Sequence, residues 1–115
     1  IGVGDRHAML ENAYYSVISP EGCAAILFHD SQQAGEAARA LRVTADDMME
    51  FGVVDEIIEE PLGGAQRDPL KTAANLRSYL SETLSEVKEL DVDQLLEERY
   101  KRYRNLGNFT KEISD

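Results

Sequence analysis

The chain has 115 residues, and its 22 Asp and Glu against 12 Lys and Arg give a formal net charge of −10 at pH 7. So large an excess of carboxylates argues against binding to free nucleic acid or to an anionic membrane, since both attract basic proteins. One cysteine and two well-separated histidines exclude an internal disulfide framework and offer no set of metal ligands. The length allows at most one small domain, and an apolar content of 43% is typical of a globular rather than a disordered chain.

The N-terminal quarter of the chain predicts strands followed by a helix. Residues 8–10 and 14–18 are short apolar or β-favouring runs, which are typical of strands. Ser19 can cap the helix that follows, and Pro20 suits its first turn. The wholly apolar run 23–28 then predicts that this short helix is buried.

The middle of the chain predicts two more helices and a strand. Apolar residues at helical spacing predict a helix with an alanine face over 31–41. Thr44 and Asp47 match a capping box for a short third helix, and Gly52 stands where a glycine commonly ends a helix. The β-branched run 53–58 predicts a strand.

The C-terminal half predicts a loop over 60–67 and then two long helices. Asp68 and Pro69 begin the first helix, which runs to about Leu90, and Asp91 caps the second. A chain this small has little apolar surface left to cover two such helices. We therefore expect them to pack on another part of an assembly, unless they pack against each other as an antiparallel hairpin.

Side chains at helical spacing support both long helices. The first carries an apolar stripe at Ala73, Leu76, Leu80, Leu84 and Val87. On the second, Glu97 with Lys101 and Glu98 with Arg102 have the i,i+4 spacing and the order that stabilise a helix.

The start of the first helix is one candidate binding site. Backbone N–H groups of Glu21, Gly22 and Cys23 are expected to point out of the helix end, where they could hold an anion or an oxyanion. More often, this pattern indicates an ordinary capped helix that binds no ligand. Cys23 has no base nearby and is better explained as a small buried hydrophobe than as a nucleophile. His7 and His29 are expected at the surface or at an edge.

The glycine loop is the other candidate. Gly63 and Gly64 let the backbone come close to a ligand or a neighbour, and Arg67 can grip a carboxylate or a phosphate. The alternative is a flexible turn in which Arg67 pairs with Asp68 or Glu60. No catalytic acid–base pair can be assembled from the residues alone.

Three blocks of sequence resemble one family. Residues 15–24 (YSVISPEGCA), 51–58 (FGVVDEII) and 60–69 (EPLGGAQRDP) resemble, in order and spacing, the carboxyltransferase alpha subunit of bacterial acetyl-CoA carboxylase. The resemblance implies an α/β fold of the ClpP/crotonase type, a ββα superhelix, of which this chain is the C-terminal part. It divides the chain into part of the crotonase-like core, 1–60, and a long helical extension for docking between subunits or domains, 61–115.

The resemblance also implies an activity. Such a subunit transfers a carboxyl group from carboxybiotin to acetyl-CoA and forms malonyl-CoA in fatty acid biosynthesis. The implied partners are a carboxyltransferase beta subunit, in a heterotetramer, and the biotin carboxyl carrier protein that brings the biotin; no metal is expected. We further expect self-association through the C-terminal helices, and a cytoplasmic location because the sequence has no signal peptide and no transmembrane run.

Site residues follow from the same resemblance. The family's oxyanion-forming Gly-Gly segment matches a region upstream of Ile1, so no catalytic residue is assignable, and we expect the chain to be a fragment that is inactive alone. The expected substrate-binding residues are Ser19, Glu21, Gly22 and Cys23 at the helix end facing the active site, and Gly63, Gly64 and Arg67 near the subunit interface. Gln66 departs from the family pattern, which has His there.

Two alternatives remain open. The fold could serve another acyl-CoA, as in carboxyltransferases of the propionyl-CoA, glutaconyl-CoA or malonate decarboxylase type. The chain could also be a non-catalytic assembly module whose helices supply only an interface.

Overall fold

The computed structural model describes residues 2–107, so residues 108–115 of the predicted extension lie outside the described part. Within that part the fold is mixed α/β, with two parallel strands and five α-helices. In chain order these are β1 (Ala8–Leu10), α1 (Pro20–Leu27), α2 (Ala34–Leu41), α3 (Ala45–Glu50), β2 (Glu56–Ile58), α4 (Pro69–Glu89) and α5 (Val92–Arg104). Short 3₁₀ turns at Ser31–Gln33 and Ala65–Arg67 precede α2 and α4.

The two strands pair in parallel with Met9 opposite Ile57. Parallel strands need a long crossover, and here the crossover contains α1, α2 and α3. Met9 packs with Val54 and with Met48 of α3 to form the core beneath the sheet. The strands are therefore held together by one helix of their own connection.

A second core cluster joins α1 to α2. It consists of Cys23, Ala24 and Ala37, with the partly buried Ile18 and Leu41 packed against it. Alanines on the facing sides let the two helix backbones approach closely. The two clusters share no residue, and the molecule measures only 18 Å in its thinnest direction.

The predicted helix starts are confirmed. Ser19 Oγ accepts the N–H of Gly22 at 3.1 Å, and Thr44 with Asp47 forms the capping box of α3. Asp68 caps α4, and Asp91 forms a capping box with Gln94 at the start of α5. Each cap satisfies an N–H group that the first turn of a helix leaves without a partner.

The predicted strands are shorter in the structure than in the sequence analysis. The run 14–18 is not a strand, because only Tyr14 pairs, in a single antiparallel bridge with Thr44. Ser16 Oγ bonds both the N–H and the C=O of Ile18, and such local bonds compete with strand pairing. In the other run, 53–58, Val53 N–H donates to Met48 O and closes α3, so that only Glu56–Ile58 forms β2.

Helix α1 is also less buried than its apolar sequence predicts. Ile26 and Leu27 are 65% and 63% exposed, because the main neighbours of α1 among the described elements, α2 and the 3₁₀ turn Ser31–Gln33 before it, leave these side chains uncovered. In the part of the chain that the structure describes, α1 is thus covered on its Cys23 face alone.

Residue Arg42 holds the end of α2 to α3. Its backbone has φ +50°, a left-handed conformation that is uncommon outside glycine. The guanidinium bonds Asp47 Oδ1 at 2.9 Å, pairs with Glu50 and lies 4.6 Å over the ring of Phe51. These contacts with α3 compensate for the strained backbone.

Helices α4 and α5 make little contact with each other, so the antiparallel hairpin is not formed. Instead α5 returns to the N-terminal segment, where Arg99 Nε lies 2.7 Å from Asp5 Oδ1 and Glu98 pairs with Arg6 at 3.2 Å. Arg102, whose side chain is 13% exposed, bonds Asp55 at 2.5 Å.

Of the two ion pairs predicted within α5, only one is present in the structure. The pair of Glu97 with Lys101 forms, at 3.3 Å. The predicted pair of Glu98 with Arg102 was wrong, because each of the two has a partner elsewhere in the chain. Leu84 of α4 and Tyr100 of α5 remain 54% and 62% exposed, and the expected docking on another part of an assembly stays a prediction.

Arg102→Ala should loosen α5 at its C-terminal end. The substitution removes bonds to Asp55 and to Val53 O, and the loss should lower the free energy of unfolding by about 1–3 kcal/mol. Arg104→Ala, an exposed arginine two positions along the same helix, is the control and should change it by less than about 0.5 kcal/mol. Urea unfolding followed by circular dichroism measures both, and equal values would show that α5 is held by other contacts.

The ion pair between Arg102 and Asp55 should make the stability of the chain depend on pH. Partial burial raises the pKa of Asp55, but the His7 N–H and the Arg102 guanidinium outweigh it and hold that pKa below its ordinary value. A lowered pKa gives stability above the unfolded value, about 3.9 for Asp, which is lost as the pH falls through the folded value. The difference in Tm between the native chain and Arg102→Ala should therefore shrink from pH 5 to pH 2. A constant difference would rule out a contribution from the charged pair.

Candidate functional site

The N-terminal end of α1 borders a cleft of about 440 Å³. Besides the bond from Gly22 to the Ser19 cap, the N–H of Cys23 donates to Ser19 O at 2.9 Å. Of the three amides expected to be free, only that of Glu21 therefore lacks a partner among the described residues. The cleft is lined by Tyr14, Ser16, Ser19, Pro20, Glu21 and Val43. This end of the helix can thus offer one amide to a ligand rather than three.

The thiol of Cys23 belongs to the core. Cys23 is buried, and it packs with Ala24 and Ala37 between α1 and α2. The interpretation of Cys23 as a small buried hydrophobe is confirmed. Its side chain fixes α1 against α2 and so sets the position of the helix end.

The glycine loop borders a second cleft, of about 420 Å³. Gly64 has φ +100°, a conformation that favours glycine, and its N–H donates to Pro61 O at 2.8 Å. The side chain of Gln66 folds back over this turn and donates from Nε2 to Gly63 O at 3.1 Å. The lining residues are Asn12, Glu60, Gly63, Gly64 and Gln66.

Arg67 ends the loop with an exposed guanidinium. The backbone N–H of Arg67 donates to Gly64 O at 3.0 Å. The aliphatic stem of its side chain covers Gly63, where an added methyl group would lie 3.0 Å from Arg67 Cγ. The pairing with Asp68 or Glu60 is not found, since Arg67 forms no ion pair within residues 2–107. The charge of Arg67 is therefore available to a ligand.

Glu60 organises this loop, a role that the sequence analysis missed. Its Oε2 accepts the N–H of Asn12 at 2.5 Å, and its Oε1 accepts the N–H of Ala65 at 2.8 Å. The Asn12 N–H first, and then the Ala65 N–H, lower the pKa of Glu60 below its ordinary value. An acid two residues after a strand and directly before a Pro-Leu-Gly-Gly turn was the available signal.

Four of the seven predicted site residues line clefts, divided between two clefts rather than gathered in one, and Gly22, Cys23 and Arg67 line neither of the two. Ser19 and Glu21 line the first and Gly63 and Gly64 the second, with no lining residue in common. Asn12 lines the second cleft and Tyr14 the first, and two residues of chain span at most about 7 Å. The turn after β1 therefore contributes to the lining of both clefts.

A larger cavity, of about 480 Å³, lies between β1 and the end of α5. Met9, Val54 and Tyr103 contribute to its lining, which contains none of the predicted site residues. His7 also lines it; the residue is half-buried, and its Nε2 is buried without a hydrogen-bond partner among the described residues. His29 is exposed, as expected.

The described part of the chain lacks two further features, a cluster of metal ligands and a membrane-spanning helix. Between residues 2 and 107, no three His, Cys, Asp or Glu residues are grouped so that they could hold a metal ion. None of the helices there is long and apolar enough to cross a membrane.

Comparison with known proteins gives one consistent family. The family described as acetyl co-enzyme A carboxylase carboxyltransferase-like matches residues 1–107. The acetyl-coenzyme A carboxylase carboxyl transferase subunit alpha of Rhodopirellula baltica is 55% identical over 97% of this chain and 35% of its own length. The proteins of the same name from Coxiella burnetii (strain RSA 331) and Clostridium perfringens are 53% and 48% identical, over 93% and 94% of this chain. The chain spans about a third of the length of the first of these relatives, and 34% and 40% of the other two.

Gly64→Ala should destabilise the loop. The added methyl group would lie 2.7 Å from Gln66 Oε1. The alanine would also have to adopt φ +100°, and we expect a total cost of about 1–3 kcal/mol. Gly35→Ala in α2 meets nothing within 4 Å and should instead stabilise the chain by up to about 1 kcal/mol. Thermal unfolding of the two variants measures the contrast, and equal shifts in Tm would contradict the described turn.

Proposed function

Because the chain belongs to the acetyl-coenzyme A carboxylase carboxyltransferase family, we propose that it is part of an alpha subunit that transfers a carboxyl group from carboxybiotin to acetyl-CoA. The product would be malonyl-CoA, which is used in fatty acid biosynthesis. The observation that carries the proposal is the family match over residues 1–107, joined to 55% identity with the alpha subunit of R. baltica.

The proposal includes partners and a location. Carboxybiotin would arrive as a substrate on a separate biotin carboxyl carrier protein, and a beta subunit would complete the transferase in a heterotetramer in the cytoplasm. The name of the relatives, subunit alpha of a carboxyl transferase, supports a partner subunit.

We propose a crotonase-like ββα superhelix for the assembled fold, with residues 1–60 in the core and 61–115 as a docking extension. The parallel pair β1 and β2, joined by a helical crossover, is compatible with that architecture. Exposed apolar side chains on the long helices, Leu80 and Leu84 among them, favour the docking role of the extension. These faces also favour self-association as a second role.

Two groups of this chain are suited to the chemistry of an acyl-CoA. The reaction needs hydrogen-bond donors for the negative charge that develops on the thioester oxygen, and the amide of Glu21 is one donor at the end of α1. The substrate also carries phosphates, and Arg67 has a planar guanidinium that can bond a phosphate or a carboxylate with two N–H groups. Gly63 and Gly64 form the turn that carries Arg67, whose stem lies on Gly63. Ser19, Gly22 and Cys23 hold the end of α1 in place.

Arg67→Ala tests the binding role in a full-length alpha subunit that carries these residues, assembled with its beta subunit. If Arg67 binds an anionic group of the acyl-CoA, KM for malonyl-CoA in the reverse transfer to biocytin should rise about tenfold, the change expected for about 1.4 kcal/mol. Arg77→Ala, an exposed arginine on α4, is the control and should leave KM within twofold. Unchanged kinetics and unchanged subunit association in Arg67→Ala would make Arg67 a plain turn residue.

A further inference from the structure

The carboxylate of Glu60 joins two parts of the chain that are far apart in sequence. One oxygen bonds the N–H of Asn12, just after β1, and the other bonds the N–H of Ala65, just after the two glycines. The N–H of Glu60 itself donates to Glu11 Oε2 at 3.2 Å. The glycine loop is therefore tied to the end of β1 through one side chain that uses both of its oxygens.

The opposite side of the loop is held by α4. Asn75 Nδ2 donates to Glu59 O at 2.9 Å, and Thr72 Oγ1 lies 3.3 Å from Ala65 O. These bonds are between neutral groups, whereas those of Glu60 involve a carboxylate and are the stronger kind. A glutamate is ionised at neutral pH and the pKa of Glu60 is lowered further by the N–H groups bonded to it, so the stronger tie is present under physiological conditions.

Arg67 depends on the same loop. Its backbone N–H is bonded to Gly64 O, and its stem lies on Gly63. Ala65, which Glu60 holds, is the first residue of the short turn that ends at Arg67. A shift of the loop away from β1 would therefore move the guanidinium with it.

We propose that Glu60 is a positioning residue, which sets the place of the Arg67 guanidinium relative to the anionic group of the acyl-CoA. The inference rests on the proposed function, because it takes Arg67 as the group that meets the substrate. In this proposal Glu60 acts through the loop and does not itself contact the substrate, and each of its oxygens accepts a backbone N–H.

The tie is tested first without any activity. Glu60→Gln keeps the shape of the side chain but has one oxygen for two N–H donors, so one bond must be lost. When Glu60→Gln is made in the 115-residue chain, amide hydrogen exchange should therefore become about tenfold faster at Asn12, at Ala65 or at both. Glu59→Gln removes the same charge from the neighbouring exposed side chain and should leave both amides unchanged. Unchanged exchange in Glu60→Gln, or equal acceleration by Glu59→Gln, would overturn the tie.

The positioning role is then tested in the full-length alpha subunit assembled with its beta subunit. Glu60→Gln should raise KM for malonyl-CoA about fivefold with kcat within twofold, and Glu59→Gln should change neither. The double variant Glu60→Gln with Arg67→Ala should have the KM of Arg67→Ala alone, because a misplaced guanidinium costs nothing once it is absent. Effects that multiply would show that Glu60 acts independently of Arg67 and would overturn the proposal. Absence of carboxyl transfer by the native complex would instead refute the proposed function, and these two failures are distinguishable.

Discussion

The parallel register of β1 and β2 is the constraint on which the rest of the structure depends. Met9 lies opposite Ile57, and the same offset of 48 residues continues beyond both ends of the short strands. At one end it places His7 beside Asp55, and at the other it places Asn12 beside Glu60. Because parallel strands have their carboxyl ends at the same edge, the glycine loop after β2 is brought to the turn after β1. The second cleft and the contact of α5 with Asp55 thus lie at opposite ends of the strand pair.

Local signals in the sequence were sufficient for the helices but not for the strands. A cap such as Ser19 or Asp91 acts on amides within three residues, so its effect can be worked out without knowing the fold. Strand length depends on a partner elsewhere in the chain. The run 14–18 has a suitable composition, yet only Tyr14 pairs with another segment. In the run 53–58, the first residues close the end of α3 instead of joining the strand.

The same distinction applies to the candidate site. Gly63, Gly64 and Arg67 were found from their residue types, whereas Glu60 was missed because its partners, Asn12 and Ala65, become neighbours only through strand pairing and the loop turn. The pair predicted between Glu98 and Arg102 failed for a related reason: spacing along a helix does not reveal that Arg6 and Asp55 compete for the two side chains. Sequence reasoning therefore identified groups that could bind a ligand, but not the groups that hold them in position.

The separation of the two core clusters has a consequence for how the chain opens. The cluster at Cys23 and the cluster at Met9 share no side chain, and Arg42 is among the few links between α2 and α3. Cooperative unfolding requires that the loss of one contact weakens the others. Between these two clusters, few contacts are present to transmit such a loss. We therefore expect helices α1 and α2 to open as a local folding unit. Transient opening of that unit would expose the thiol of Cys23 and remove one wall of the first cleft while the sheet and the glycine loop stay intact.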